Sequence, residues 1–163
     1  SNTNSSRPAR VRAFSWNGAS WIRLGANLDA GGNDRFGPGI SLSLDGTLLS
    51  IGGLSQNSSV GYIRMVEWDG VQWNPRGLDL VSDAVRDSFG RTLSLSADGS
   101  VLAACAHTSH RGVNGQASGQ CRIFGWSDTS WLQLGDVIDG EAAYDLSGYS
   151  VSLSSDGLTV AIG

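Results

Sequence analysis

The stretch Phe14–Trp21, FSWNGASW, holds two tryptophans five residues apart on either side of an Asn-Gly turn. Asn-Gly between short runs of alternating apolar and polar residues is a strong indication of a β-hairpin. The same arrangement returns at Val66–Trp73 and at Phe124–Trp131, and the first tryptophans of successive copies lie 52 and 58 residues apart. This recurrence indicates a repeat protein.

A second block repeats in the same phase. It reads SLSLDG at Ser41–Gly46, SLSADG at Ser94–Gly99 and SLSSDG at Ser152–Gly157. The Asp-Gly step favours a tight turn, in which the aspartate bonds nearby backbone and the glycine takes a positive φ. Because the tryptophans and the Asp-Gly turns fall into one phase, we interpret the chain as three copies of one unit.

Each copy predicts four short antiparallel strands. In the first copy these are Arg12–Trp16, Trp21–Leu24, Ile40–Leu44 and Leu48–Ile51, with a Gly- and Asp-rich loop over Gly25–Gly39. No segment has a helical period. Four strands in about 50 to 60 residues is the size of one propeller blade. The predicted fold class is therefore all-β, with β-propeller-type blades.

The predicted organisation is a polar tail over residues 1–10 and three repeats over about 11–59, 60–119 and 120–163. Propellers typically have four to eight blades, so three are too few to close a ring. We expect further blades of the same polypeptide, a second copy in a six-bladed dimer, or an open fibre to complete them. The first strand pair of one copy and the last pair of another would then share a blade.

The repeat resembles the FG-GAP repeats of integrin-α-like propellers and secreted proteins. The similarity lies in GYSVSLSSDGLTVAIG at Gly148–Gly163 and in GYIRMVEWDGVQW and GQCRIFGWSDTSW of the other copies. Phe36-Gly37 and Phe89-Gly90 match the FG pair, whereas the third copy has Ser147-Gly148. The resemblance implies a propeller and an extracellular setting, and does not imply one particular task.

Propellers of this kind often carry calcium in an Asp-x-Asp-x-Asp-Gly loop, and that loop is absent from this sequence. The nearest equivalents are Asp34, Asp87 and Asp145, which hold the same place in each copy. Calcium needs six to eight oxygen ligands, of which these carboxylates supply only a part. We favour turn capping for the three aspartates and keep calcium as the alternative.

The tryptophans have two interpretations. Large rings five residues apart across a tight turn lie on neighbouring strands, where they pack against each other or against the next blade. The alternative is an aromatic platform for a glycan, which requires rings exposed on one face. We favour a structural role in the repeat core for Trp16, Trp21, Trp68, Trp73, Trp126 and Trp131.

Cys105 and Cys121 flank the loop His107–Gly119 on two strands that a hairpin would bring together. In a secreted chain we expect a disulfide between them, worth about 3 kcal/mol in the chain-entropy model. The alternative is two reduced, half-buried thiols. A zinc site is disfavoured because only His107 and His110 are at hand to complete it, at the wrong spacing.

The loop His107–Gly119 is the one element that breaks the symmetry of the repeat. A single ligand site would therefore lie there, with His107, His110, Arg111 and Asn114 as candidate ligand-loop residues. Both histidines are expected to be solvated. Elsewhere the carboxylates recur with the repeat, which argues against a catalytic pair, since catalytic residues should break a repeat's symmetry.

The composition narrows the function classes. The chain has 11 basic residues, all arginine, against 15 acidic residues, for a net charge of -4. No basic stripe is present to hold a phosphate backbone, so nucleic acid is a poor partner. No run approaches the roughly 18 apolar residues of a membrane span.

The triplets at Asn4 and Asn57 are N-glycosylation acceptors, which favours secretion. We predict a non-catalytic extracellular or cell-surface scaffold or binding module, with protein, its own copies or a glycan as partner. The alternatives are a structural subunit of an extracellular filament and a sialidase-like carbohydrate-active enzyme. No cofactor is predicted, apart from the calcium alternative.

Overall fold

The structure is a computed structural model that describes residues 9–31, 34–55, 58–109 and 114–163. No helix occurs within these ranges, and the prediction of an all-β chain is confirmed. The strands are β1 (Arg10–Trp16), β2 (Trp21–Asp29), β3 (Arg35–Leu42), β4 (Leu48–Leu54), β5 (Val60–Trp68), β6 (Trp73–Pro75), β7 (Leu80–Val85), β8 (Thr92–Leu95), β9 (Val101–Ala106), β10 (Gln120–Ser127), β11 (Ser130–Asp139), β12 (Val151–Leu153) and β13 (Val160–Ile162).

The strands form two larger antiparallel sheets and two separate hairpins. We call β3-β4-β5-β6 the first sheet, in which β7 also pairs with β5, and β8-β9-β10-β11 the second sheet. The hairpin β1-β2 precedes the first sheet along the chain, and the hairpin β12-β13 follows the second. Each larger sheet thus joins the second hairpin of one sequence repeat to the first hairpin of the next, so the sheets lie half a repeat out of phase with the predicted repeats.

The predicted loop Gly25–Gly39 is mostly strand. β2 continues to Asp29 and β3 begins at Arg35. A β-bulge allows β2 to continue past Gly25. The strand pairing shifts between Val11 and Ala13, and Gly25 takes a φ of 72°. A β-bulge absorbs one extra residue, and glycine adopts a positive φ without steric cost, so the strand bends and goes on.

The first sheet is covered on both faces. Leu49, Ile51 and Val66 pack with Val11 of the preceding hairpin. On the opposite face Leu48, Ile63 and Met65 pack with residues of the second sheet, namely Leu93, Leu95, Leu102 and Ala104. Because neighbouring strand residues point to opposite faces, a sheet covered on both sides needs a continuous apolar strand. β4 is such a strand, since every residue from Leu48 to Gly53 is buried.

Candidate functional site

The tryptophans form three pairs of the same geometry. Trp16 is the direct strand partner of Trp21, and the other two pairs have the same alignment, Trp68 with Trp73 and Trp126 with Trp131. The ring centroids are 5.6, 5.4 and 5.4 Å apart, with the planes tilted by 54° to 58°. Each hairpin therefore presents one compact aromatic unit.

The two inner pairs pack on a glycine of the preceding hairpin. Trp73 donates its indole N–H to the carbonyl of Leu24 at 3.2 Å, and a Cβ on Gly25 would lie 2.7 Å from the Trp68 ring. In the next sheet Trp131 donates to the carbonyl of Arg76 at 3.4 Å. There a Cβ on Gly77 would lie 2.9 Å from the Trp126 ring. Only glycine leaves room for the ring at these two positions.

Both ends of this series are open in the structure. Trp16 and Trp21, which we call the outer Trp pair, are 53% and 66% exposed. Gly135 occupies the place of Gly25 and Gly77 in the third copy, and its φ of 69° matches theirs of 72° and 79°. A Cβ on Gly135 would meet nothing within 4 Å, so this position is an empty notch of the same backbone shape, which we call the Gly135 notch.

The outer edges of the terminal hairpins are also open. Within the described residues β1 pairs only with β2, and β13 pairs only with β12. The corresponding strands β9 and β10 pair with each other inside the second sheet. Unpaired strand edges are templates for adding another strand, and both terminal hairpins present such an edge.

The side chains of the Ser-x-Asp-Gly turns form local hydrogen bonds, while backbone hydrogen bonds join each turn to the next. In the turn of the second sheet, Ser96 donates its hydroxyl to the carboxylate of Asp98 at 2.7 Å. The backbone N–H groups of Ser100 and Val101 bond Asp98 and Ser96. Backbone donation from Ser100, then the Ser96 hydroxyl, lowers the pKa of Asp98. The equivalent turns at Asp45 and Asp156 have the same bonds to serine and backbone, so these aspartates act as turn caps.

The structure does not bring together the three aspartates that we considered for calcium. Asp87 is buried and accepts hydrogen bonds from the Ser82 hydroxyl and from the backbone N–H of Phe89. Asp145 accepts from the backbone N–H of Ala142 at 2.7 Å. Asp34 directly precedes β3, one repeat before Asp87. No group of three metal-binding side chains occurs in the described ranges, and Asp87 and Asp145 act as local caps.

Cys105 and Cys121 form a disulfide across directly opposite positions of β9 and β10. Both cysteines are fully buried. Gly148 packs on this bridge, because a Cβ there would lie 2.5 Å from the Cβ of Cys105. The disulfide therefore links β9 to β10 at the point where Gly148, from the third copy's counterpart of the FG pair, packs on the second sheet.

The predicted ligand loop is described only in part. His110 and Arg111 lie outside the described residues, as do the glycosylation candidates Asn4 and Asn57. Asn114 donates its side-chain amide to the carbonyl of Gly140 at 2.7 Å. This hydrogen bond attaches the loop to the segment after β11.

The expectation of a solvated His107 is wrong, because its side chain is 6% exposed and its ring packs edge-on against Tyr149. Burial, and then the charge of Arg91, lowers the pKa of His107, since both disfavour the imidazolium ion. The third copy of the repeat, which supplies Tyr149, covers this histidine.

Sequence reasoning did not single out a cleft of about 630 Å³ beside the first sheet, lined in part by Arg35, Arg86 and Arg91. These arginines come from different copies and from positions without a shared motif.

No known protein-family model matches the chain, and no curated protein matches its sequence. None of the described residues belongs to a helix that is long and apolar enough to cross a membrane.

Proposed function

We propose that this chain is a non-catalytic extracellular scaffold of β-propeller type, which works by stacking its sheets on further units of the same repeat. The observation that carries the proposal is the match between the exposed outer Trp pair and the Gly135 notch. The same contact occurs twice inside the chain, at Gly25 and at Gly77. A second copy, or further units of the same polypeptide, would supply the partner of each open end.

The inner contacts give the expected geometry of this interface. Trp16 and Trp21 of one copy would pack on the Gly135 notch of another, and Trp21 would donate its indole N–H to the carbonyl of Leu134. Leu132 and Leu134 beside the notch are 53% and 48% exposed, so apolar surface is available on both sides. Burial of such large rings is the strongest contribution that this surface offers to association.

Strand pairing would reinforce the same interface. Inside the two sheets, Leu49 pairs with Val66 and Leu102 pairs with Phe124. The repeat places Val160 and Phe14 at the corresponding positions of β13 and β1. The two hairpins would then complete a sheet of the order β12-β13-β1-β2, and the adjacent Trp contact would form at the same time.

Two identical contacts of this kind would close a ring of two copies, with six sheets in total. This number lies within the range of propellers. If the angle between successive sheets does not close the ring, the same contact builds an open filament. The buried disulfide supports an extracellular setting, because such bonds persist in oxidising compartments.

The test compares two glycines of the same conformation. Gly135 and Gly46 have φ values of 69° and 72°, and a Cβ on either meets nothing within 4 Å of its own chain. Gly135→Ala and Gly46→Ala should therefore strain the fold alike, whereas only Gly135→Ala places a methyl group under the partner's Trp ring. We expect a dimer mass for the wild type and Gly46→Ala, and a monomer mass for Gly135→Ala, by sedimentation equilibrium.

A cysteine pair examines the strand alignment of the same assembly. Ala161 and Ala13 correspond to the paired residues Ala103 and Ile123 of the second sheet. Ala13→Cys with Ala161→Cys should give a disulfide-linked dimer on a non-reducing gel, and Arg12→Cys with Ala161→Cys, one residue out of alignment, should not. A wild-type protein that stays monomeric up to millimolar concentration contradicts the proposal, and a polymer replaces the ring by the filament.

A further inference from the structure

The cleft of about 630 Å³ lies where the segment between β7 and β8 crosses the ends of β3, β4 and β5. A Cβ on Gly52 would lie 1.8 Å from the carbonyl oxygen of Gly90, so the crossing segment rests directly on the sheet. We call this the arginine cleft, because its charged lining is Arg35, Arg86 and Arg91, beside the apolar side chains of Phe36, Pro38 and Leu54.

The lining of the arginine cleft is positively charged. No aspartate or glutamate is among its lining residues, although acidic residues outnumber basic ones in the chain. Within the described ranges Arg35, Arg86 and Arg91 form no ion pair, whereas four arginines elsewhere pair with carboxylates, namely Arg10, Arg64, Arg76 and Arg122. Three guanidinium groups without a carboxylate partner in these ranges are thus available to an anion in the cleft.

The backbone around the cleft is held in an unusual conformation. Ser59, Arg86 and Ser88 all line it, and all have left-handed φ values, of 54°, 60° and 62°. Non-glycine residues adopt this region rarely, at a cost that the surrounding structure must offset. Here the backbone N–H of Arg86 donates to the carbonyl of Ser59 at 2.7 Å, and Thr108 donates its hydroxyl to Ser88 at 2.8 Å. These bonds hold the backbone of Arg86 and Ser88 in place beside the cleft.

We propose that the arginine cleft binds a small organic anion that carries at least two carboxylate or sulfate groups. Guanidinium groups form paired, charge-assisted hydrogen bonds with such groups, and three of them can engage more than one. The volume is that of a small-molecule site, and the apolar side chains match the carbon skeleton of an organic ligand. An acidic oligosaccharide of two or three rings has this chemistry.

The test uses three probes and isothermal titration calorimetry. Trigalacturonate supplies three carboxylates, a heparin-derived disaccharide supplies sulfates, and maltotriose is the neutral sugar of matched size. We expect at least one of the two acidic probes to bind and maltotriose not to bind. Raising the salt from 50 to 300 mM should weaken binding, because the attraction is between charges.

The variant Arg35→Gln/Arg91→Gln should lower the affinity about 100-fold, because charge-assisted hydrogen bonds from two guanidinium groups are lost. The control Arg12→Gln/Arg23→Gln removes the same charge from the exposed hairpin β1-β2 and should change the affinity less than twofold. Arg35→Lys/Arg91→Lys keeps the charge without the paired hydrogen bonds and should give an intermediate loss.

Three outcomes would overturn the proposal. They are the absence of binding by both acidic probes at millimolar concentration, equal binding of maltotriose, and an equal loss in the control variant. If inorganic sulfate alone competes as well as either saccharide, the organic part of the ligand is refuted. Binding and assembly are independent, since neither the outer Trp pair nor Gly135 lines the cleft.

Discussion

The Trp pair of the hairpin β10-β11 and that of β1-β2 have the same spacing and ladder position, with centroids 5.4 and 5.6 Å apart. Their environments differ, since Trp131 is 7% exposed and Trp21 is 66% exposed. The contact between the two rings is therefore not what buries them from solvent. Burial comes from the preceding sheet, which supplies a glycine and a carbonyl acceptor to the inner pair and is lacking for the outer pair.

This comparison explains why the tryptophans recur in every copy. One ring pair holds its own hairpin and also attaches that hairpin to the sheet before it. The attachment needs a glycine with a positive φ four residues after the second tryptophan, at Gly25, Gly77 and Gly135. The unit of the fold is thus the junction between two successive sheets, rather than a sheet alone.

The largest expected effect is the difference between Trp131→Ala and Trp21→Ala. Trp131 is buried against the core and bonds the first sheet, so its truncation should cost about 3 to 5 kcal/mol of unfolding free energy. Trp21 is largely exposed and packs on the ring of Trp16, so its truncation should cost about 1 kcal/mol in the monomer. Urea unfolding at a concentration below self-association measures both.

Equal losses in the two variants would break the comparison, because they would mean that the ring pair, and not the junction, stabilises the hairpin. Urea unfolding at a high protein concentration tests the comparison further. If copies stack as proposed, Trp21→Ala should there lose the additional stability that association gives the wild type.

The second largest effect concerns the two larger sheets. At the place of the disulfide between Cys105 and Cys121, the first sheet has Gly52 opposite Ile63. Closing a loop of this length with a disulfide contributes about 3 kcal/mol. The variant Cys105→Ala/Cys121→Ala should therefore lower the Tm by about 6 to 12 °C, since each kcal/mol corresponds to about 2 to 4 °C in a protein of this size.

Amide hydrogen exchange of this variant shows which strands lose stability. Amide protection should fall most in β9 and β10, which the bridge joins, and less in β4 and β5, whose packing with β1-β2 does not involve the bridge. Reduction of the wild type by dithiothreitol under mild denaturation should reproduce the effect. A uniform loss over both sheets would contradict a local role for the disulfide.

The repeat and the hairpins were predictable because they depend on local chemistry. Trp pairs across tight turns fix strand pairs within about ten residues, and these pairs form as expected. The grouping of hairpins into sheets was not predictable, because β4 and β5 pair across a repeat boundary that the sequence period does not mark. Likewise the bulge at Gly25 extends β2 through a segment whose composition is that of a loop.

The candidate site likewise has local features, which the sequence predicts, and long-range features, which it does not. Turn capping by Asp98 follows from the residues next to it. The burial of His107 depends on Tyr149, 42 positions along the chain, and the arginine cleft joins residues of separate copies. The environment of these residues depends on how one sheet packs on the next, and the sequence period does not determine that packing.

The smallest expected effect is a difference in acid sensitivity between an inner and an outer turn. Asp98 accepts bonds from Ser96 and from both the backbone and the hydroxyl of Ser100, whereas Asp156 accepts from Ser154 and the backbone of Leu158. These bonds lower the pKa of both carboxyl groups. A carboxyl group with a lowered pKa in the folded protein contributes stability above its unfolded pKa of about 4, and that stability is lost as the pH falls through the folded pKa.

The Tm of the wild type should therefore fall between pH 4 and pH 2, and Asp98→Asn should flatten this fall more than Asp156→Asn, because Asp98 accepts more hydrogen bonds. Asn keeps one acceptor oxygen but does not titrate, so both variants are matched in shape. Scanning calorimetry at pH 5, 4, 3 and 2 provides the comparison. If Asp156→Asn flattened the profile as much as Asp98→Asn, the number of donors would not determine the contribution of a turn, and the inner and outer ends of the series would be equivalent in this respect.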